Sequence, residues 1–364
     1  MKSETTDKYV VAVDSFKGCM TSAEAESAVA EALKEALGEV AIVCIPMSDG
    51  GEGMLEAFTE ALGGSIVTTT VHDPLMRRIE ASYGITPGGT AVIETARACG
   101  LTLMRADELN PMRATTYGVG ELVAAAVRRG CRRFLIGLGG SGTSDAGIGM
   151  MRALTDILAP RGGSIDDALK GALGQCGFTL ACDVDNPLCG SDGAAAVFGP
   201  QKGATADMVR QLDDRAGRFA RISAAHCGQD CSAAAGAGAA GGLGYAFMQF
   251  LNAEKRNGAD LMLDISGFDT ATEDARLVIT GEGHADRQTL MGKLPMRVMA
   301  RAAGKGIPTW LLAGKTDAAD SLVKAGFARV TAITPDGADM AEAMRKDVAK
   351  ENIKAAVTRE ISRM

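Results

Sequence analysis

YVVAVDSFKG, residues 9 to 18, joins a run of apolar residues to a turn that carries a carboxylate, a lysine and a glycine. A short apolar run bounded by a turn is typical of a buried strand. In parallel α/β sheets ligands bind outside the carboxyl ends of the strands, and Asp14 and Lys17 stand directly at such an end. The stretch therefore predicts the first strand of a parallel sheet with a ligand site beside it.

The segments before and after the middle of the chain extend this prediction. Thr21 and Glu24 form a capping-box pattern, which predicts a helix that runs to Leu37. Further elements are predicted as strands at 40–46 and 65–71 and a helix at 52–62, then strands at 276–279, 308–313 and 330–333 and helices at 294–303, 318–324 and 339–363. This alternation predicts a parallel sheet with helices on its faces.

The middle of the chain differs in style. Predicted here are strands at 90–94, 133–138, 178–182 and 194–198 and helices at 120–129 and 148–154. Residues 232–244 are almost entirely alanine and glycine, and they predict a glycine-rich turn that enters a helix at Tyr245. The contrast with both ends of the chain indicates a second α/β region.

Composition restricts the class of protein. The 364 residues suffice for two domains, and the 46% of hydrophobic residues suffice for a sizeable core. A net charge of -7 argues against a nucleic-acid-binding protein, which would normally show a basic face.

Nine scattered cysteines argue against a disulfide framework and for the reducing cytoplasm. His226, Cys227 and Cys231 match no standard zinc spacing. No segment has the length and apolarity of a membrane span.

Five short glycine-rich segments carry fixed charges, and most of them follow a predicted strand. Glycine lets backbone N–H groups approach an anion, carboxylates can hold Mg²⁺, and lysines can neutralise phosphate oxygens. The segments are DSFKG (Asp14 to Gly18), SDGGEG (Ser48 to Gly53), GLGGSGTSD (Gly137 to Asp145), FGPQKG (Phe198 to Gly203) and TGEGHAD (Thr280 to Asp286). Together they predict an enzyme that handles phosphate.

Each segment also allows a structural explanation, in which its polar residues only cap helices or form turns. This alternative stays open for Ser48 and Asp49, for Asp183 and Asn186, and for Glu282 and Asp286. GLGGSGTSD resembles a phosphate-binding loop but lacks the lysine of a Walker A loop. Lys202 is held by two glycines and a proline in its loop, whereas most lysines are simply solvated.

Taken together and in this order, the segments resemble those of the glycerate kinase family, whose members phosphorylate D-glycerate with ATP. The resemblance runs over nearly the whole chain and includes CDVDNPLCG (Cys182 to Gly190), GAAGGLG (Gly238 to Gly244) and the GK pair that ends at Lys293. It implies an α/β fold of two α/β domains. A Rossmann- or flavodoxin-like parallel-sheet domain, formed by 1–75 and 268–364, is interrupted by an inserted α/β domain, 76–267.

The resemblance also implies the activity and the residues that carry it. The implied enzyme is a phosphotransferase that uses ATP and Mg²⁺ to phosphorylate an alcohol group of glycerate, with 2-phosphoglycerate favoured as product. It would act in the cytoplasm, without nucleic acid or a membrane as partner. Catalytic roles are expected for Asp14, Lys17, Asp49, Asp183 and Lys202. Substrate or nucleotide contacts are expected at Ser15, Ser48, Gly50, Gly51, Glu52, Gly139, Gly140, Ser141, Thr143, Asn186, Gly281, Glu282, Asp286 and Lys293. Candidates for binding Mg²⁺ are Asp14, Asp49 and Glu282, and the general base is one of Asp14, Asp49 and Asp183.

The chain departs from the family's pattern at three positions. His284 stands where the family usually has arginine, and Gly142 and Ser144 replace an alanine and an asparagine. The resemblance therefore does not imply that His284 makes the phosphate contact of an arginine or that Ser144 makes the contact of an asparagine. A non-catalytic α/β sensor of a small sugar acid or nucleotide is the competing class. A nicotinamide dehydrogenase is disfavoured, because the first strand leads into DSFKG and not into GxGxxG.

Overall fold

The computed structural model describes residues 7–363. The strands are β1 (Lys8–Val13), β2 (Ala41–Cys44), β3 (Ser65–His72), β4 (Arg78–Ile85), β5 (Thr90–Glu94), β6 (Arg133–Gly137), β7 (Gly177–Ala181), β8 (Glu254–Arg256), β9 (Ala275–Ala285), β10 (Thr309–Thr316) and β11 (Arg329–Ala332). The helices are α1 (Ser22–Leu37), α2 (Met54–Ala61), α3 (Ala96–Cys99), α4 (Tyr117–Arg128), α5 (Ile148–Leu158), α6 (Ile165–Lys170), α7 (Ala194–Phe198), α8 (Ala206–Cys227), α9 (Ala239–Leu251), α10 (Gly258–Ile265), α11 (Phe268–Ala271), α12 (Leu294–Ala303), α13 (Ala319–Ala325), α14 (Met340–Ala343) and α15 (Lys346–Ile361).

The described residues divide into two compact units. The first unit comprises 7–49 and 259–363, and the second unit comprises Gly50–Gly258. The domain boundaries expected from the sequence, 75/76 and 267/268, stay a prediction. No helix of the described chain has both the length and the apolarity that a membrane crossing needs. All nine cysteines are free thiols.

The first unit is built on a five-stranded parallel sheet in the order β11-β10-β9-β1-β2. Residues 10–13 of β1 are buried, which is typical of a parallel strand covered on both faces. One face packs against α1 and α15, and the other packs against α12 and α13. This arrangement confirms the parallel sheet with helices on its faces.

The first helix shows how local sequence sets an element of this unit. The Glu24 N–H donates to Thr21 Oγ1 at 3.3 Å, and the Thr21 N–H donates to Glu24 Oε2 at 3.0 Å. This reciprocal pair satisfies two backbone donors that a helix start otherwise leaves unpaired. Val29 and Leu33, one turn apart, are buried in the core beneath α1. The predicted helix is therefore confirmed from its first residue.

The second unit contains a six-stranded mixed sheet in the order β3-β4-β5-β6-β7-β8. The strands from β5 to β8 are parallel, and β3 and β4 join them as an antiparallel pair. Phe134 on β6 and Phe178 on β7 stack at 4.6 Å between ring centroids in its core. The second α/β region indicated by the sequence is confirmed.

One strand belongs to a different sheet from the one predicted. Residues 65–71 were expected to continue the parallel sheet of the first strands, but β3 pairs antiparallel with β4 in the second unit. The turn between them is held by Asp73, whose Oδ1 accepts hydrogen bonds from the N–H groups of Leu75 and Arg77. Such an Asx-type turn reverses the chain within a few residues, so β3 pairs with the next strand.

Three further elements correct the sequence-based expectation. Residues 194–198 were predicted as a strand and form the short helix α7, because a five-residue apolar run has no distinguishing period. The predicted helix 339–363 is two helices, since Arg345 has an extended backbone between α14 and α15. No helix was predicted at the position of α8, although Thr205 Oγ1 caps it by accepting the Met208 N–H at 3.3 Å.

The glycine-rich turn at 232–244 is confirmed. The first residues of α9 have left-handed backbones at Ala240, Gly241 and Gly242 before a regular helix begins. A Cβ on Gly241 would lie 2.0 Å from the Thr143 carbonyl oxygen, so no larger residue fits there. The turn is a tightly packed part of the second unit and not a linker.

Candidate active site

Two glycine-rich segments meet at the carboxyl edge of the sheet in the first unit. β1 and β9 are parallel neighbours in which Val13 pairs with Gly281. The Asp14 N–H donates to the Gly281 carbonyl at 2.9 Å. DSFKG therefore leaves the sheet beside TGEGHAD, although the two segments lie at opposite ends of the chain.

Asp14 is the buried acid of this edge, with 7% of its surface exposed. Its Oδ1 accepts a hydrogen bond from the Ser15 N–H at 2.7 Å. Burial, followed by the negative charge of Asp49, raises the pKa of Asp14 to about 7, against the lowering effect of Lys17. A carboxylate with a pKa near neutrality can accept a proton at physiological pH and release it again.

Glu282 is a second buried carboxylate at this edge. Its Oε1 accepts a hydrogen bond from Thr289 Oγ1 at 2.6 Å. Burial raises the pKa of Glu282, while the Thr289 hydrogen bond and the charge of Lys293 lower it. Thr289 therefore fixes the direction of the carboxylate, and its importance was not visible in the sequence.

Several basic side chains lie near these carboxylates. Lys17 Nζ lies 3.8 Å from Asp49 Oδ2. His284 Nε2 lies 2.8 Å from Asp317 Oδ2, and Lys315 Nζ lies 3.6 Å from the other oxygen of the same carboxylate. A hydrogen bond with the Asp317 carboxylate therefore holds the His284 ring.

These groups line a pocket of about 370 Å³ in the first unit. Its lining consists of Asp14, Ser15, Phe16, Lys17, Cys19, Asp49, Glu282, Gly283, His284, Lys293, Leu294, Gly314, Lys315, Ile333, Thr334, Met340, Ala343, Met344 and Ala349. Ser15 Oγ is buried there and has no hydrogen-bond partner among the described residues. Since a buried hydroxyl normally has a partner, this atom is suited to contact a ligand.

The pocket gathers several of the residues expected from the sequence. Asp14, Ser15, Lys17, Asp49, Glu282 and Lys293 line it together. Asp286 does not line it, because its Oδ1 accepts the Gln288 N–H at 2.7 Å and closes the turn after β9. Ser48 is buried and also stands outside the lining.

The glycines of SDGGEG and GLGGSGTSD bring two loops of the second unit together. A Cβ on Gly139 would lie 2.7 Å from the Cα of Gly51, and a Cβ on Gly50 would lie 2.8 Å from that of Ala181. Gly53 is the N-cap residue of α2, so neither Ser48 nor Asp49 holds that position. Several of these glycines are therefore required by the close packing of the two loops, whether or not they bind a ligand.

The remainder of GLGGSGTSD is buried beside Lys202. Ser141 Oγ and Thr143 Oγ1 lie 3.0 Å apart, and Lys202 Nζ donates to the Thr143 carbonyl at 2.6 Å. Lys202 is only 2% exposed, and burial lowers its pKa to about 8. Asp145 accepts the N–H groups of Gly147 and Gly149 at the start of α5. This loop therefore has a clear structural role in the second unit.

The acidic segment after β7 is also tied to the second unit. Asp183 Oδ1 accepts the Gly258 N–H at 2.8 Å, and Asn186 Nδ2 donates to the Asp192 carbonyl at 2.8 Å. Glu52 is exposed and Gly140 has a left-handed backbone. The roles expected for these residues stay predictions.

The sequence reasoning assigned no site role to many residues of the pocket, among them Lys315, Thr334 and Met344. Lys315 follows the apolar run of β10 in the pattern AGK, and this strand-end signal was available. Thr334 and Met344 carry no such signal, because a threonine and a methionine in a polar segment are unremarkable. Across residues 7–363 no group of three or more histidine, cysteine or acidic side chains is arranged to hold a metal ion.

Comparison with known proteins identifies the family. The model of the glycerate kinase family matches residues 9–364. A glycerate kinase of Bacillus subtilis (strain 168) is 41% identical over 323 residues, covering 84% of this chain and 85% of the relative. The glycerate 2-kinase of Escherichia coli (strain K12) is 38% identical over 307 residues, covering 80% and 81%.

A solved structure supports the same relationship at the level of the fold. The crystal structure of a protein from Salmonella typhimurium LT2, assigned as a glycerate kinase 2, matches with a TM-score of 0.84 and 33% identity. The match covers 99% of this chain and 98% of that one. The chain belongs to the glycerate kinase family, and it is a phosphotransferase that acts on an alcohol group.

Proposed function

We propose that this enzyme transfers the γ-phosphate of ATP to the hydroxyl on carbon 2 of D-glycerate, giving 2-phosphoglycerate and ADP. Family membership supports glycerate as the acceptor, and the name of the E. coli relative, a glycerate 2-kinase, supports the position of transfer. The observation that carries the chemistry is the pocket in which buried Asp14 lies among lysines.

In this proposal Asp14 is the general base. It lines the pocket directly after β1, so an acceptor hydroxyl that enters the pocket can reach its carboxylate. The hydroxyl oxygen forms the new bond to phosphorus, the bond from phosphorus to the β–γ bridging oxygen breaks, and the hydroxyl proton passes to Asp14. The pKa of about 7 suits this role, because proton transfer is efficient when the base titrates near working pH.

The lysines of the pocket neutralise the transferred group. Phosphoryl transfer depends on positioning and on stabilising charge at the phosphate oxygens more than on covalent catalysis. Lys17, Lys293 and Lys315 line the pocket from three different segments of the first unit. Lys17 Nζ lies 3.8 Å from Asp49 Oδ2, so the lysine and a carboxylate of the pocket stand side by side.

The donor set of the pocket fits Mg²⁺. This ion prefers carboxylate oxygens, and it is usually held by one or two carboxylates together with substrate phosphates and water. Asp14, Asp49 and Glu282 line one pocket, and the negative charges of Asp49 and Glu282 each raise the pKa of Asp14. A cation held by Asp49 and Glu282 would relieve this repulsion, and when bound it would neutralise charge on the phosphates.

Roles for residues of the second unit stay part of the proposal. Lys202 and Asp183 retain the catalytic roles that the resemblance implies, with Lys202 held by Thr143 and Asp183 held by the Gly258 N–H. The polar atoms of Ser141 and Thr143 would contact substrate only after exchanging the hydrogen bond that they share.

A coupled assay of ADP formation with D-glycerate tests the proposed function. We expect ADP release that depends on D-glycerate, and phosphorus NMR of the mixture should show phosphate on carbon 2. Lys17→Met should lower turnover by about 100-fold or more, since it removes a charge aimed at the transferred group. Lys324→Met, on the exposed face of α13, is the matched control and should leave turnover unchanged.

Two outcomes would contradict the proposal. Binding of ATP or glycerate without ADP release would favour the non-catalytic sensor. ADP release with phosphate on carbon 3 would leave the kinase intact and refute the assigned product.

A further inference from the structure

The pocket of the first unit has an apolar half that the transfer chemistry does not use. It is formed by Phe16, Cys19, Leu294, Ile333, Met340, Ala343, Met344 and Ala349. Phosphates and a three-carbon hydroxy acid are polar throughout and bury no apolar surface of this size. The apolar half therefore calls for a ligand, or a part of one, with an extended apolar face.

Met340 and Met344 are the most accessible residues of this half. Met340 is the first residue of α14 and Met344 follows its last residue, and their surfaces are 48% and 45% exposed. A Cβ placed on Gly18 would lie 3.6 Å from Cε of Met344, so this side chain reaches the DSFKG turn. The two methionines thus present exposed thioethers to the pocket close to the polar loop of Asp14.

Contiguous exposed apolar surface that is rimmed by polar residues is typical of ligand-binding grooves and other interaction sites. Methionine is flexible and polarisable, and its sulfur makes favourable contacts with aromatic rings. The same pocket is lined by Lys17, Lys293 and Lys315, which suit several negative charges. A flat ring joined to a chain of phosphates is the ligand chemistry that matches both halves.

We propose that the apolar half is the site for the base of the nucleotide donor, which packs against Met340 and Met344 while its phosphates extend toward the three lysines. This inference rests on the proposed kinase activity and adds the place where the nucleotide is selected. The acceptor then occupies the polar end of the pocket, beside Asp14.

Kinetics of Met344→Ala test this assignment. Truncation removes the thioether that a base would contact, so we expect the KM for ATP to rise about five- to tenfold. The KM for D-glycerate and the kcat should stay within about twofold of the wild type. Met340→Ala should change the same constants in the same direction. Val323→Ala on α13 is the control, because Val323 is 48% exposed and does not line the pocket.

Inorganic tripolyphosphate separates the base from the phosphates. As a competitive inhibitor against ATP it should bind the wild type and Met344→Ala equally, because it carries no ring. The inference is overturned if tripolyphosphate binding falls as much as ATP binding, if neither methionine variant changes the KM for ATP, or if only the KM for glycerate rises. Failure of the proposed function is distinct, since the wild type would then release no ADP with D-glycerate.

Discussion

Replacing Asp14 by asparagine should make the first unit more stable at pH 8 while removing most of the enzyme's activity. The reason is that this carboxylate is buried near Asp49, so the folded protein holds a negative charge that water would stabilise better. Asparagine has the same shape and keeps an oxygen that can accept the Ser15 N–H. It carries no charge and cannot accept a proton from the substrate.

The magnitude follows from the pKa of the folded state. The pKa rises from 3.8 to about 7 on folding, and each unit corresponds to about 1.4 kcal/mol. A raised acid pKa means that the folded state binds its proton more tightly, so this contribution to stability is present below pH 3.8 and is lost as pH rises through 7. At pH 8 the ionised aspartate therefore costs about 4 kcal/mol, and at pH 4 it costs less than about 1 kcal/mol.

Fluorescence of Trp310 can measure this difference, because it is the single tryptophan of the chain and is buried in β10 of the same unit. Urea unfolding of Asp14→Asn should show a gain of about 2–4 kcal/mol at pH 8 that nearly disappears at pH 4. Turnover should fall about 100- to 10,000-fold, the range expected when a general base is removed.

The matched control is Asp107→Asn, which changes an exposed aspartate whose pKa Arg105 lowers. It should leave turnover unchanged and should not stabilise the protein at either pH. Two results would refute the reasoning about Asp14. Loss of stability at pH 8 in Asp14→Asn would show that its charge is well compensated in the folded state, and near-normal turnover would show that another group takes the proton.

Three further predictions concern other features of the chain. First, kcat/KM should rise with pH and reach half its plateau near pH 7, since Asp14 must be ionised to act as base. A pH–rate profile with its midpoint below pH 5 would indicate that Asp14 binds a cation instead. Second, Gly50→Ala should lower the free energy of unfolding by about 3 kcal/mol or more, because its Cβ would lie 2.8 Å from that of Ala181. The control Gly53→Ala, at a glycine with a similar left-handed backbone and no atom within 4 Å of the added Cβ, should lower it by only about 1 kcal/mol. Calorimetry measures both values, and equal losses would contradict the packing argument. Third, Lys202→Met should stabilise the protein by about 2 kcal/mol at pH 7, because burial lowers the pKa of this lysine from 10.5 to about 8 and so penalises its charged form. In urea unfolding this gain in stability should vanish by pH 11, where the lysine is neutral in both states. A loss of stability at pH 7 would show that the charge is compensated in the folded protein.

Much of the site could be predicted because its signals are local. Asp14, Lys17, Glu282 and Lys293 each follow an apolar run or a glycine turn, and the carboxyl ends of parallel strands share one edge. Sequence could not show that Thr289 orients Glu282, since the hydrogen bond depends on how the loop after β9 folds back. It also could not show the apolar half of the pocket, because the predicted single helix 339–363 hid the break that places Met344 beside Gly18.

Several parallel strands, among them β1, β6, β9 and β10, and their polar ends were predictable from the sequence alone, because each is an apolar run followed by a glycine or an acid. The similar apolar run at 194–198 forms α7 instead. Only the tertiary structure decided which strands are neighbours. β3 pairs in the second sheet and β9 inserts between β1 and β10, where Thr280 Oγ1 donates to the Ala12 carbonyl at 2.7 Å. The physical reason is that backbone hydrogen bonds are the same for every partner strand, so pairing is selected by the packing of whole helices and loops, and that packing also buries Asp14 and sets its pKa.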